Sequence, residues 1–133
     1  MTRFVDTNVF IYAMTGHPEH GDTARDILKR IEEGEQACTS TLVLCEIAWV
    51  LEAMGRQPDI KPTLEKILSY TTLEIVGYDE DDLLVGAQTA VKHRIDFNDG
   101  VNLAIMMKAS ITDAYTNDMK HLGTVDFITT HFE

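Results

Sequence analysis

Asp6, Glu46, Asp99 and Asp118 are the residues whose type and placement ask for a chemical explanation. Glu46 is the hardest to treat as an ordinary surface acid. On a helix its neighbours three and four residues away are Leu42, Val43, Trp49 and Val50, all apolar. A carboxylate there should be buried or nearly so, and an unpaired buried charge is costly unless it gains a partner or shifts its pKa. No Lys or Arg lies between Arg30 and Arg56 to neutralise it locally. A distant basic residue or partial exposure would resolve the conflict; a bound cation would resolve it more directly.

Asp6 ends the strand-like run Phe4-Val5, and Asp118 follows Tyr115-Thr116-Asn117. Taken singly, an Asp in a strand-to-helix turn can simply bond its own backbone. Asp99 lies three residues after Asp96, so Asp96 as N-cap and Asp99 in the first turn would be a capping pattern. Yet Asp99, Asn102, Leu103 and Met106 share one helical stripe that continues into apolar residues, which puts the Asp99 carboxylate at the edge of the core. Together, four acids spread from position 6 to position 118 can reach one sheet edge. Oxygen donors of this kind suit Mg²⁺ or Mn²⁺, whereas zinc favours His and Cys. His17, His20, His93, His121 and His131 show no metalloprotease spacing and are expected at the surface.

The elements that must position these acids are legible in outline. Thr2–Val5 reads as a strand, Asp22 caps a helix to Glu33 with Gly34 as its stop, and Gln36–Thr39 reads as a second strand. Ser40 or Thr41 opens an apolar helix ending near Gly55, and Pro62 suits the first turn of a helix from Ile60 to Tyr70. Leu73–Val76 is strand-like, Asp79 to Arg94 helical, Asn98–Ser110 helical, Ala114–Asn117 a strand and Phe127–Thr130 a last short one. The acidic run Asp79–Asp82 falls where the helix macrodipole favours anions and is expected to cap and solvate. Strands alternating with helices imply an α/β fold with a parallel sheet covered on both faces, and ligands then gather beyond the carboxyl ends of the strands.

The 133 residues suit one domain, 1–133, and the 44% hydrophobic content suffices for a sizeable core. Cys38 and Cys45 form no CxxC pair and sit among apolar residues, so buried thiols in a reducing cytosol are expected. The start meets Asp6 too early for a signal-peptide core, and the longest apolar run, Leu42–Leu51, is too short to span a bilayer and carries Glu46. A cytoplasmic protein with no membrane partner is the expectation. The formal net charge of −11 argues against a phosphate-rich partner unless cations mediate the contact.

These residues resemble the PIN-domain nucleases, including the toxin ribonucleases of VapBC toxin–antitoxin pairs. The resemblance runs from Val5-Asp6-Thr7-Asn8, through Thr39-Ser40 and Glu46 in its apolar helix and Asn98-Asp99-Gly100-Val101-Asn102-Leu103-Ala104, to Thr116-Asn117-Asp118. Each short motif is unspecific, but their order and spacing in a chain of this length are specific. By this resemblance Asp6, Glu46, Asp99 and Asp118 match the acidic quartet around the metal site, Asn8 the polar support of the first acid, and Thr116 the hydroxyl near the last. The implied fold is a three-layer sandwich with a mostly parallel sheet of about five strands. Gly100 stands where the family often has alanine, which could loosen the first turn of that helix. Asp96 competes with Asp99 as the ligand; the helical pattern after Asp99 favours the latter.

The implied activity is hydrolysis of RNA phosphodiester bonds with Mg²⁺ or Mn²⁺, leaving a 5′-phosphate and a 3′-hydroxyl. Asp6, Glu46 and Asp99 would be direct or water-mediated ligands, while Asp118 would hold a second ion or position the attacking water. Lys92, His93 and Arg94, and Lys120 with His121, are candidate phosphate contacts; solvated helix ends are the plainer explanation for both groups. An antitoxin lying over the acidic groove and a homodimer are implied partners. Three alternatives stand: a PIN-like module that binds nucleic acid or protein without cutting, a processing nuclease without an antitoxin, and a magnesium phosphatase with a nucleophilic aspartate. The last wants an acid two residues after the nucleophile, where this chain has Asn8.

Overall fold

The computed structural model describes residues 1–133. Its strands are β1 (Arg3–Val5), β2 (Ala37–Ser40), β3 (Leu73–Val76), β4 (Asp113–Tyr115) and β5 (Thr129–His131). Its helices are α1 (Thr7–Thr15), α2 (Gly21–Glu32), α3 (Thr41–Ala53), α4 (Ile60–Leu68), α5 (Glu80–His93) and α6 (Phe97–Lys108). The strands form one sheet in the order β3-β2-β1-β4-β5, and every pairing is parallel. Parallel pairing requires crossovers over the sheet faces, and these helices supply them in a three-layer α/β sandwich. The order reverses between β1 and β4, where Phe4 pairs with Ala114 and Val5 with Tyr115. Such a reversal opens a crevice beyond the carboxyl ends of the strands. Asp6 follows β1, and Asp118 lies in the loop after β4 on its other side.

The core is the apolar cluster of β1, β2 and β4 packed with α1, α2, α3 and α6, and includes Phe4, Phe10, Ile27, Ile47, Leu103 and Tyr115. Three caps fix the helix starts that matter for the crevice. Asp6 accepts the Thr7 N–H at 2.8 Å, Ser40 Oγ accepts the Val43 N–H at 3.0 Å, and Asp79 with Asp82 forms a capping box on α5. The acidic run Asp79–Asp82 therefore serves as a cap, as its position predicts.

Helix α1 is an element the sequence reading did not contain, because Val9-Phe10-Ile11-Tyr12-Ala13-Met14 is apolar without a polar face; its ends are set by the Asp6 cap and by Gly16 in the left-handed region (φ 62°). Several expectations need correction. Helix α2 starts at Gly21, so Asp22 sits in its first turn and does not cap it. Helix α4 stops at Leu68, β4 stops at Tyr115 before Asn117, and β5 starts at Thr129 beyond Phe127. Cys38 is buried but Cys45 is exposed, since α3 is apolar on faces that the sheet does not cover.

Gly100 tightens packing. A Cβ there would overlap the Gly86 carbonyl oxygen and come within 3.0 Å of the Ala90 nitrogen, while one on Gly86 would come within 2.7 Å of Val101 Cα. The two glycines let the α5 and α6 backbones touch, and this seats the first turn of α6, which carries Asp99.

Candidate active site

Asp6, Glu46, Asp99 and Asp118 converge on one open cleft of about 270 Å³, lined also by Thr7, Asn8, Ile11, Tyr12 and Val50. Two larger hollows elsewhere contain none of these four acids. The acids arrive from four elements distant in sequence: the end of β1, the second turn of α3, the first turn of α6 and the loop after β4.

Asp6 is 5% exposed and densely held. Its Oδ2 accepts the Thr116 hydroxyl at 2.8 Å, and Thr116 Oγ1 accepts from the Asn8 side-chain amide at 3.1 Å and from the Asp118 N–H at 3.0 Å. Asn8 Oδ1 in turn accepts the Asn117 N–H at 3.2 Å. Thr116 and Asn8 thus lock the two loops across the switch point together, a supporting position consistent with the resemblance. Asp118 Oδ1 accepts the N–H groups of Lys120 and His121 at 3.0 and 3.1 Å. The local-turn explanation therefore holds for that oxygen, as it does for Asp6 Oδ1, and does not exclude a second use of either side chain.

Glu46 is half-buried, and its partner is an amide: Asn102 Nδ2 donates to Glu46 Oε1 at 3.0 Å. Asn102 is fully buried, and its Oδ1 accepts the Ser40 hydroxyl at 2.6 Å. The α3 cap, α6 and Glu46 are joined in one chain of hydrogen bonds. Asn102 falls on the Asp99 stripe, but nothing in sequence singles it out; a polar residue among buried neighbours of a helix was the available signal.

His121 corrects the expectation of a surface residue. Its Nδ1 lies 3.0 Å from both Asp99 Oδ2 and Asp118 Oδ2, and its Nε2 is 3.7 Å from Asp96 Oδ2. The Asp96 side chain is 77% exposed against 14% for Asp99, and it does not line the cleft. Asp96 occupies the N-cap position of α6 but makes no side-chain cap bond. Its carboxylate, with Asp99 and His121, still forms a group whose ligand atoms fall within 4.8 Å of one another at the cleft mouth. Arg94, exposed at the α5 C-cap, and Lys120, exposed beside Asp118, stand outside the cleft lining.

The electrostatics follow from crowding like charges in a partly desolvated space. Burial pushes the Asp99 carboxyl up to about 7, reinforced by Asp6, Asp118 and Glu46 and eased by His121. Burial also raises Asp6 and Glu46, against the hydrogen bonds from Thr116 and Asn102 respectively. Desolvation would lower the His121 imidazole, but its bond to Asp118 and the charges of Asp118, Asp99 and Asp96 raise it. No Lys or Arg lines the cleft. Thr7 Oγ1, in the same wall, is buried without a hydrogen bond of good geometry, although it lies near enough to Glu46 to help lower that carboxyl. Four mutually repelling carboxylates with no lining Lys or Arg are a donor set that fits a hard divalent ion.

The sequence model of the PIN domain matches residues 3–127, and the chain belongs to the PIN domain family. Solved structures share the fold. One is VapBC2 from Rickettsia felis bound to a DNA fragment from its promoter, at 18% identity, 98% of each chain covered and TM-score 0.73. Another is VapC20 from Mycobacterium tuberculosis, a sarcin–ricin loop cleaving toxin, at 22% identity, 90% of this chain and 92% of that one, TM-score 0.73. DNA-bound VapBC from Salmonella typhimurium is similar at 18% identity, 98% of each chain and TM-score 0.70. At these identities the likeness is one of fold. No curated protein matches the chain in sequence.

Proposed function

We propose that this PIN domain is a divalent-metal-dependent endoribonuclease, with Asp6, Glu46, Asp99 and Asp118 as its catalytic and metal-holding acids. The observation that carries the proposal is the convergence of the four on one cleft with no Lys or Arg lining it. Mg²⁺ or Mn²⁺ held there would activate a water and offset charge on the phosphoryl oxygens during an in-line displacement.

The chain's own residues do the positioning. Thr116 and Asn8 hold Asp6, Asn102 holds Glu46, and the close α5–α6 contact holds Asp99. Asp118, held by two backbone N–H groups through one oxygen, would orient the attacking water or share a second ion with the other. Water gives up a proton as it adds to phosphorus, the bond from phosphorus to the 3′ oxygen breaks, and that oxygen takes a proton from solvent, so the products carry a 5′-phosphate and a 3′-hydroxyl. Arg94 and Lys120, outside the acidic lining, would meet flanking phosphates.

The fold shared with the toxins of solved VapBC complexes supports a toxin role in the cytosol, with a small antitoxin covering the cleft and a homodimer as the working unit. No helix is long and apolar enough to cross a membrane. The direct test is Asp6→Asn, expected to abolish RNA cleavage with circular dichroism unchanged; undiminished cleavage removes the catalytic assignment.

A further inference from the structure

Tyr12 lines the acidic cleft one helical turn beyond Asn8 on α1. Its ring is braced by three others. His17 lies 4.8 Å away at 57°, His20 5.1 Å away at 40°, and Phe132 5.9 Å away edge-on at 73°. The two imidazoles stack on each other at 5.0 Å and 17°. His17 Nδ1 accepts the N–H groups of Glu19 and His20 at 3.2 and 3.1 Å, which fixes the turn between α1 and α2. His20 Nε2 lies 3.3 Å from the side-chain amide of Asn117, whose backbone N–H is bonded to Asn8. The aromatic group is therefore tied to the loops that carry Asp6 and Asp118. All four rings are half-buried, not sealed in the core.

In a chain of net charge −11 whose cleft is lined by no Lys or Arg, a contact that does not depend on charge adds to whatever bound cations and the flanking basic residues supply for a polyanion. Stacking of bases on aromatic rings supplies one, and it acts on unpaired bases because each has a free π-face. We propose that Tyr12, braced by His17 and His20, is a platform on which one unpaired base of single-stranded RNA stacks beside the carboxylates. The assignment rests on the cleft being a nuclease site, but it concerns binding and is measured separately from cutting.

The test places 2-aminopurine at successive positions of a mixed-sequence, unstructured RNA and follows its emission on stopped-flow mixing with the full chain, before any turnover. One position should be quenched with the unaltered chain and with Tyr12→Phe. Tyr12→Leu, which keeps bulk in the helix but has no ring, should lose the quench and weaken binding about tenfold. An abasic residue at the quenched position should weaken the unaltered chain equally and make Tyr12→Leu neutral. In cleavage, Tyr12→Leu should raise KM and leave kcat within about twofold. Binding that is indifferent to Tyr12→Leu, or no quench at any position with the unaltered chain, overturns the platform. Tyr12-dependent quenching without cleavage keeps the platform and removes the nuclease; cleavage indifferent to Tyr12→Leu does the reverse.

Discussion

Asn102 does for Glu46 what Thr116 does for Asp6: each is a buried neutral donor that holds a carboxylate in place without cancelling its charge. A lysine in either position would fill the cleft with its own cation. Asn102→Leu should therefore leave Glu46 and the Ser40 hydroxyl without their partner, lowering stability by about 1–3 kcal/mol in denaturant melts. Mn²⁺ affinity by calorimetry should fall about tenfold or more, because the ligand loses its orientation. Unchanged affinity would detach Glu46 from the metal. Glu46 itself was legible from sequence because a charge among apolar helix neighbours needs a reason. His121 was not, because its role comes from Asp99 and Asp118 meeting it across the loop, and no local spacing encodes that.

The same residues give the metal-free chain a definite pH dependence. Folded Asp99 keeps its proton up to about 7, whereas an ordinary aspartate gives it up at 3.8. Between those values the folded state binds more protons than the unfolded one, so this group's contribution to stability falls as pH rises. His121, also raised, contributes below its unfolded pKa and loses that contribution as pH rises through its folded one, which has the same sign. The metal-free chain should thus melt lower at about pH 8 than at about pH 6. Saturating Mn²⁺ should erase or reverse that difference, since it binds the deprotonated acids. A metal-free chain that melts higher at the more alkaline pH would contradict crowding of the carboxylates.

At the scale of elements, the α5–α6 contact decides where Asp99 stands. Gly100 looked from sequence like a weak point in the first turn of α6, and the fold gives the opposite sense: its missing Cβ admits the Gly86 carbonyl. Gly100→Ala improves helix propensity by about 1 kcal/mol but forces two backbones apart, an overpacking cost of about 1–3 kcal/mol. The variant should show a lower or unchanged melting temperature and a larger loss in cleavage than in stability, as Asp99 moves with its turn. A clear gain in both would show that the helices separate freely. Elements with an alternating or capped pattern were readable to within a residue or two, as with β3 and α5. Helix α1 was not, because a six-residue apolar run carries no face, and its identity comes from the Asp6 cap and Gly16. The faces of α3 were likewise hard to read, and Cys45 is exposed where burial was expected, as is its neighbour Trp49.

At the scale of the molecule, the reversal in strand order between β1 and β4 gathers residues from positions 6 to 118 on one edge, while the net charge of −11 repels the proposed substrate. The two facts are compatible if cations and a few basic residues mediate approach and stacking on Tyr12 adds a contact that does not depend on charge. Arg94→Gln and Lys120→Ala should each weaken RNA binding about two- to threefold and reduce the salt slope by about one. Slopes unaltered in both would take these residues out of the phosphate path. The substrate sequence lies beyond what charge and topology encode, since the cleft offers a backbone-directed site and a stacking ring, neither of which reads base edges.

The most direct test of the central claim is cleavage of single-stranded RNA by the purified chain in Mg²⁺, in Mn²⁺ and in EDTA, with the product ends mapped. Cutting in either metal that leaves 5′-phosphates, stops in EDTA and returns on adding the ion is the predicted result. Cutting that persists in EDTA, or products ending in a 2′,3′-cyclic phosphate, would contradict the account.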